Sequence, residues 1–217
     1  RLNALELIYR IRPRANPTQQ TLPEGMAPRQ GGAVWPPPSG MGFINTCGGL
    51  APGWLLMDLG YEGAREELEK RALAHWHALQ KTRYPTYEFD SFSPMLAIRE
   101  SHRIVGEYVL TQKDLLDGIA KQRHDDIIAL ADHPMDTHGS GGGLGRVAAP
   151  YGIPFRCLVP KGGWTNLLIA CRGASFSHIA ASSCRLSRTM MALGHAAGLA
   201  AAQCTERRID LADVDVR

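Results

Sequence analysis

The chain alternates between clear periodic segments and stretches that break every period. Residues 5–12 (LELIYRIR) alternate apolar and polar positions and predict a strand. Residues 13–42 are dense in Pro, Gly and Gln, with Pro36, Pro37 and Pro38 in a row, and predict a surface excursion or partly disordered stretch. Residues 41–46 (MGFINT) predict a short strand, and 47–59 are apolar but broken by Gly and Pro. Residues 61–80 predict an amphipathic helix, with Leu68, Leu73, Trp76 and Leu79 on one face and Arg65, Glu66, Glu69 and Lys70 on the other. His75 and His77 lie on that helix two apart, so they do not share a face as a metal pair would.

The second half reads more finely. Residues 89–99 predict extended chain and 104–110 (IVGEYVL) a strand. Thr111 then caps a short helix, with Asp114 in an imperfect capping box. Residues 127–131 predict a strand, 151–159 a strand pair or extended segment, and 160–165 a turn. Residues 166–171 (NLLIAC) form a short apolar run of the kind a buried parallel strand gives. A loop of small and polar residues leads to a helix over about 185–203, with Ser182 or Ser183 as its N-cap. Residues after Cys204 predict a polar tail.

That last helix carries Gly194 and Gly198 four apart on one face. Each glycine costs about 1 kcal/mol against Ala in a helix interior, so a close neighbour on that face is expected. Arg185 and Arg188 in its first turn oppose the positive end of the helix dipole, an arrangement that an adjacent anion or electron-rich ring would stabilise.

Composition narrows the class. The 217 residues are 44% hydrophobic, enough for one substantial core with a smaller lobe. The formal net charge is +3, with Lys and Arg scattered, so no nucleic-acid stripe is present; Arg10–Arg14 and Arg207-Arg208 read as solvated surface. No stretch reaches the roughly 18 uninterrupted apolar residues of a membrane span. The five cysteines (Cys47, Cys157, Cys171, Cys184, Cys204) show no metal spacing and suit reduced thiols in a cytoplasmic protein. Cys184 is either a reactive thiol at a helix start or a small buried residue. The four tryptophans read as core or pocket lining.

Three blocks resemble one family. Residues 166–202 are similar to the C-terminal segment of FAD-dependent oxidoreductases with a glutathione-reductase-type FAD domain, whose helix follows R-x-x-x-T-x-M-A-L-G-x-A-A-G from Arg185 to Gly198. Residues 98–110 (IRESHRIVGEYVL) resemble a second family block and 151–161 (YGIPFRCLVPK) a third. The resemblance implies an α/β fold: a sheet-based substrate domain over residues 1–160, then a strand–helix segment over 161–205 completing a Rossmann-like FAD domain, and a tail over 206–217. It implies FAD as cofactor, with Arg172, Arg185, Arg188, Thr189, Met190, Gly194 and Gly198 as contacts. Arg172 and Arg185 would meet phosphate or the N1–O2 edge of the flavin, and backbone N–H groups at 188–190 the same edge.

Such a chain would open with a strand, a G-x-G-x-x-G turn and a helix. Residues 1–90 match only loosely, and residues 140–145 (SGGGLG) lack the third glycine and read as a loop. The expected partner is therefore a complementary G-x-G-x-x-G half, on another chain, cleaved off or lost.

Flavin chemistry on an alcohol requires a base for the hydroxyl proton, and His has the suitable pKa. His138 ends a P-x-D-x-H run, the block the resemblance places here, and His178 lies in the loop that the resemblance brings near the isoalloxazine. Arg99, Glu100 and Arg103 read either as a catalytic Arg or as a buried Arg–Glu pair. The expectation is hydride transfer between a hydroxylated small molecule, a sugar or polyol for example, and flavin N5. Two alternatives stand beside it: a non-catalytic subunit that keeps the fold without flavin, and a metal enzyme at His133 and His138 with His124, Asp125 or Asp126 as third ligand.

Overall fold

The computed structural model describes residues 2–29, 33–35, 40–46, 49–138 and 144–216. The chain forms two compact units, Arg1–Arg99 with His138–Ser140, and Glu100–Thr137 with Gly141–Arg217. Position 160, where the sequence suggested a boundary, falls inside the second unit. Cys47 and most of the glycine run at 140–145 lie outside the described residues.

In the first unit, β1 (Tyr9–Pro13), β2 (Ala33–Trp35), β3 (Gly42–Asn45) and β4 (Tyr87–Phe92) form an antiparallel sheet ordered β2-β3-β1-β4. Alternation in β1 turns Tyr9 and Ile11 inward, where both are buried. Arg10 and Arg12 project to the other side and pair with Asp90 and Glu88 of β4. Helix α1 (Leu55–Thr82) packs on the inner face. Its buried stripe is Ala64, Leu68, Ala72, Trp76 and Leu79. Burying Leu68 is worth about 1.5–3 kcal/mol. Tyr9 Oη meets His75 Nδ1 at 2.7 Å. Leu73, expected on the stripe, is only half-buried, and the helix starts before residue 61 because a break at Gly60 (φ +68°) joins a preceding turn to it.

Of the stretch 13–42, the described residues 13–29, 33–35 and 40–42 are more ordered than their composition suggests, and Pro36, Pro37 and Pro38 lie outside the described residues. The stretch contains β2, and Gln20 is tied to α1 through Gln80 Oε1 at 2.7 Å and His77 Nδ1 at 2.6 Å. The Gln80 amide and the His77 ring of the helix thus pair with the Gln20 backbone, whose groups are in no sheet or helix.

The second unit holds α2 (Gln112–Lys121), the antiparallel pair β5 (Ile127–Ala131) and β6 (Tyr151–Pro154), α3 (His178–Cys184) and α4 (Ser187–Arg207). The capping box at α2 is present, with Asp114 accepting the Thr111 N–H at 2.8 Å. The three family-like blocks converge here. Gly106 N–H donates to Ser175 Oγ at 2.9 Å, Glu107 N–H to Val159 O at 2.9 Å and Ser175 N–H to Cys157 O at 2.9 Å. A Cβ at Gly106 would stand 2.8 Å from Ser175 Cβ and 3.0 Å from two carbonyl oxygens, so glycine is required there.

Four expectations change. Residues 104–110 make isolated bridges, Gly106 to Pro160 and Leu110 to Phe176, instead of a strand. Residues 166–171 join no sheet among the described residues; only Ile169 N–H reaches a carbonyl, Leu158 O at 2.8 Å. A parallel strand forms only beside a partner strand, and none of the described elements supplies one. The loop expected over 172–183 contains a helix, α3, while the final helix expected over about 185–203 is present as α4. The segment after 205 is not simply polar, since Leu211 is buried and Val214 and Val216 pack on the core. The fold is thus mixed helix with small antiparallel sheets, an α/β class in the broad sense. Among the described residues no helix is long and apolar enough to cross a membrane.

Candidate functional site

His178 opens α3, and Ser177 caps that helix by accepting the Ala180 N–H on its Oγ at 3.2 Å. His178 Nδ1 lies 2.7 Å from Glu100 Oε2. Glu100 is buried, with 4% of its surface exposed, and Arg103 bonds its other oxygen. An ionised carboxylate only accepts, so against an ionised Glu100 the proton would be on Nδ1 and the lone pair of a neutral ring at Nε2. This is the arrangement of an oriented base: an imidazole fixed in ring plane and tautomer by a carboxylate that is itself held.

His138 has a parallel arrangement in the first unit. Its Nδ1 is 3.5 Å from Glu6 Oε1, and Arg99 Nη2 is 2.6 Å from Glu6 Oε2. Glu6 is fully buried. Burial pushes the Glu6 carboxyl up, but the bonds and charges of His138 and Arg99 outweigh burial and hold it below the usual range. The His138 backbone takes a positive φ of 38°, uncommon outside glycine, and its carbonyl accepts the Ala4 N–H at 3.3 Å.

Sequence reasoning missed both partners. Glu6 sits between Leu5 and Leu7 in an apolar run, and a charge there was the available signal of a buried pair. Glu100 was marked only as a partner for Arg; its bond to His178 spans 78 positions and has no local signature.

The metal reading finds no geometry: among the described residues, no three His, Cys, Asp or Glu side chains form a metal-holding group. His133 Nδ1 is 2.7 Å from Pro134 O, His124 lies 3.2 Å from Asp114, and Asp126 binds Arg156 at 3.0 Å. Cys184 is the buried residue and not the reactive thiol, because burial pushes its pKa far up. Burial likewise pushes Cys157 up to about 12. The core reading holds for Trp76, whereas Trp54 and Trp164 are exposed.

The proposed cofactor contacts lie around the start of α4. Ser182 and Ser183 are not its caps; both are buried inside α3, with Ser182 Oγ donating to Ile179 O at 2.7 Å and Ser183 Oγ 2.7 Å from Tyr151 Oη. The N-cap is Leu186, whose side chain has no acceptor. The Met190 N–H is taken by Leu186 O at 3.0 Å, so it is not open to a ligand. Thr189 is buried, and the Met190 side chain packs on the core. Arg188 pairs with Asp132, and Arg185 Nη2 reaches Asp136 O at 3.5 Å. Arg172 is exposed in a turn.

The 21-residue helix α4 starts without a side-chain cap, and first-turn N–H groups at a helix start suit an electron-rich edge in general. The expected neighbour of Gly194 and Gly198 is absent among the described residues: a Cβ at either position would meet nothing within 4 Å. Met191 and Leu199 on the same helix are 75% and 54% exposed.

Of the two histidines, His178 shares a unit with all the residues proposed for the cofactor, and His138 belongs to the other unit. No curated protein and no solved structure matches this chain. The family model described as FAD dependent oxidoreductase matches residues 19–217, which includes both histidine arrangements except for Glu6, and all of α4. The chain therefore belongs to the FAD dependent oxidoreductase family, whose cofactor is FAD.

Proposed function

We infer that this chain supplies the substrate-side base and one wall of the flavin site in an enzyme that oxidises a hydroxylated small molecule. The observation that carries the reading is the 2.7 Å bond from His178 Nδ1 to a buried, Arg-held Glu100. When bound, FAD supplies the acceptor for a hydride at N5. His178 takes the substrate hydroxyl proton at Nε2, and Glu100 stabilises the imidazolium that results. Arg103 holds Glu100 in place. The first turn of α4 would hold the flavin edge, with Arg172 and Arg185 as further contacts.

The open Gly194/Gly198 face supports a complementary segment carrying the G-x-G-x-x-G turn, which would cover it and hold the ADP half of the cofactor. Such a segment gives the two glycines the close neighbour that their helix position calls for.

Anaerobic mixing of the flavin-loaded enzyme with a panel of sugars and polyols tests the reading. Bleaching of the flavin by a hydroxylated compound is expected. Its rate should fall about 10²–10⁴-fold in His178→Gln. Bleaching at an unchanged rate in that variant removes His178 as the base.

A further inference from the structure

We propose that the first unit carries a second binding site, for a phosphate group, at a pocket where Arg29 and Arg71 converge. The pocket has a volume of about 400–500 Å³ and is lined by Met26, Pro28, Arg29, Leu50, Glu67 and Arg71, among others. Arg29 Nη1 and Arg71 Nη1 each donate to the same oxygen, Leu50 O, at 3.1 Å. Arg29 Nη2 also bonds Gly49 O. The two Nη1 atoms therefore lie within about 6 Å of each other, where like charges repel. One carboxylate stands beside them: Glu67 Oε1 accepts Arg71 Nε at 2.7 Å. The three side chains together carry one excess positive charge.

Two guanidinium groups brought together by a neutral carbonyl carry ten N–H donors, several more than the bonds they make among the described residues. Guanidinium forks match the oxygens of phosphate in geometry as well as in charge. The surrounding Met26, Ala27 and Pro28 give the pocket apolar walls, which suit a phosphate ester better than a bare ion. The competing role is a clamp: the two arginines fasten residues 26–29 to the turn at 49–50 and bind nothing.

Titration of the full chain by calorimetry separates these roles. The probes are inorganic phosphate and glycerol phosphate, with chloride at matched ionic strength as control. Saturable heat with phosphate, tighter with the ester, is expected. Phosphate saturating as tightly as the ester assigns the site to the free ion and overturns the ester preference. Arg71→Gln and Arg29→Gln should each weaken binding about tenfold or more, the loss expected for one charge-assisted contact. Glu67→Gln removes the competing carboxylate and leaves the arginines in place, so it should tighten binding several-fold. Absence of saturable heat above chloride, or a Glu67→Gln variant that binds no more tightly, overturns the proposal and leaves the clamp.

Discussion

Each unit places a histidine against a buried glutamate that an arginine also holds, and the two arrangements differ in tightness. In the second unit His178 meets Glu100 at 2.7 Å from the first turn of a helix. In the first unit His138 stands 3.5 Å from Glu6 on a strained loop residue, while Arg99 holds Glu6 at 2.6 Å. The short bond orients an imidazole. The longer one shares Glu6 with Arg99, and His138 and Arg99 together hold that carboxyl below its ordinary range. A histidine near a carboxylate is therefore not enough to identify a base; the distance and rigidity of the pair decide.

The same contrast appears in the two long helices. In α1 the small residues Ala64 and Ala72 are buried against the sheet, where their size permits close packing. In α4 the small residues Gly194 and Gly198 face nothing among the described residues. One unit packs its small side chains against a sheet, and the other leaves two glycines with no close neighbour among the described residues.

Substitutions can break this comparison. The largest effect is expected on turnover: His178→Gln should slow flavin reduction by about 10²–10⁴-fold and His138→Gln by less than about tenfold. Stopped-flow rates of both variants measure the difference; equal losses would remove the distinction. Next comes stability. Glu6→Ala and Glu100→Ala each leave a half-buried arginine without its carboxylate, and each should lose about 1.5–3 kcal/mol in urea titrations.

Acid sensitivity sharpens the first-unit half. The Glu6 carboxyl is held below its ordinary pKa of 4.5, so it binds protons more weakly folded than unfolded. Its contribution is fully present above that value and is lost as pH falls below it toward the folded pKa. Glu6→Gln should therefore flatten the acid limb of a stability–pH curve below about pH 4.5, and an unaltered limb would refute this. The smallest effect is expected on the helices. Gly194→Ala should stabilise the isolated chain by about 0.5–1 kcal/mol, whereas Ala72→Gly should destabilise it by at least about that amount, both measured by thermal melts.

Local signals were legible in the sequence. The strand at 127–131, the Thr111–Asp114 capping box and the amphipathic helix ending near Gln80 all follow from neighbouring residues, and the structure has them. Positions 166–171 and 182–183 misled, because an apolar run does not state whether a strand partner exists, and a serine before a helix resembles a cap even when another helix already holds it. The site was half legible. His178 was visible as a candidate, but Glu100 reaches it only through the fold, and Glu6 reaches His138 in the same way. The three family-like blocks, separated along the chain, proved to hydrogen-bond to one another at Gly106, Val159 and Ser175. That convergence is a property of packing which spacing alone does not give.

The most direct measurement is the visible absorption spectrum of the natively purified protein, repeated after incubation with FAD. Oxidised-flavin bands at near one flavin per chain are expected, together with a co-purifying segment that bears the G-x-G-x-x-G turn. Protein that remains colourless with FAD present would contradict flavin binding by this chain and would favour a subunit that keeps the family fold without its cofactor.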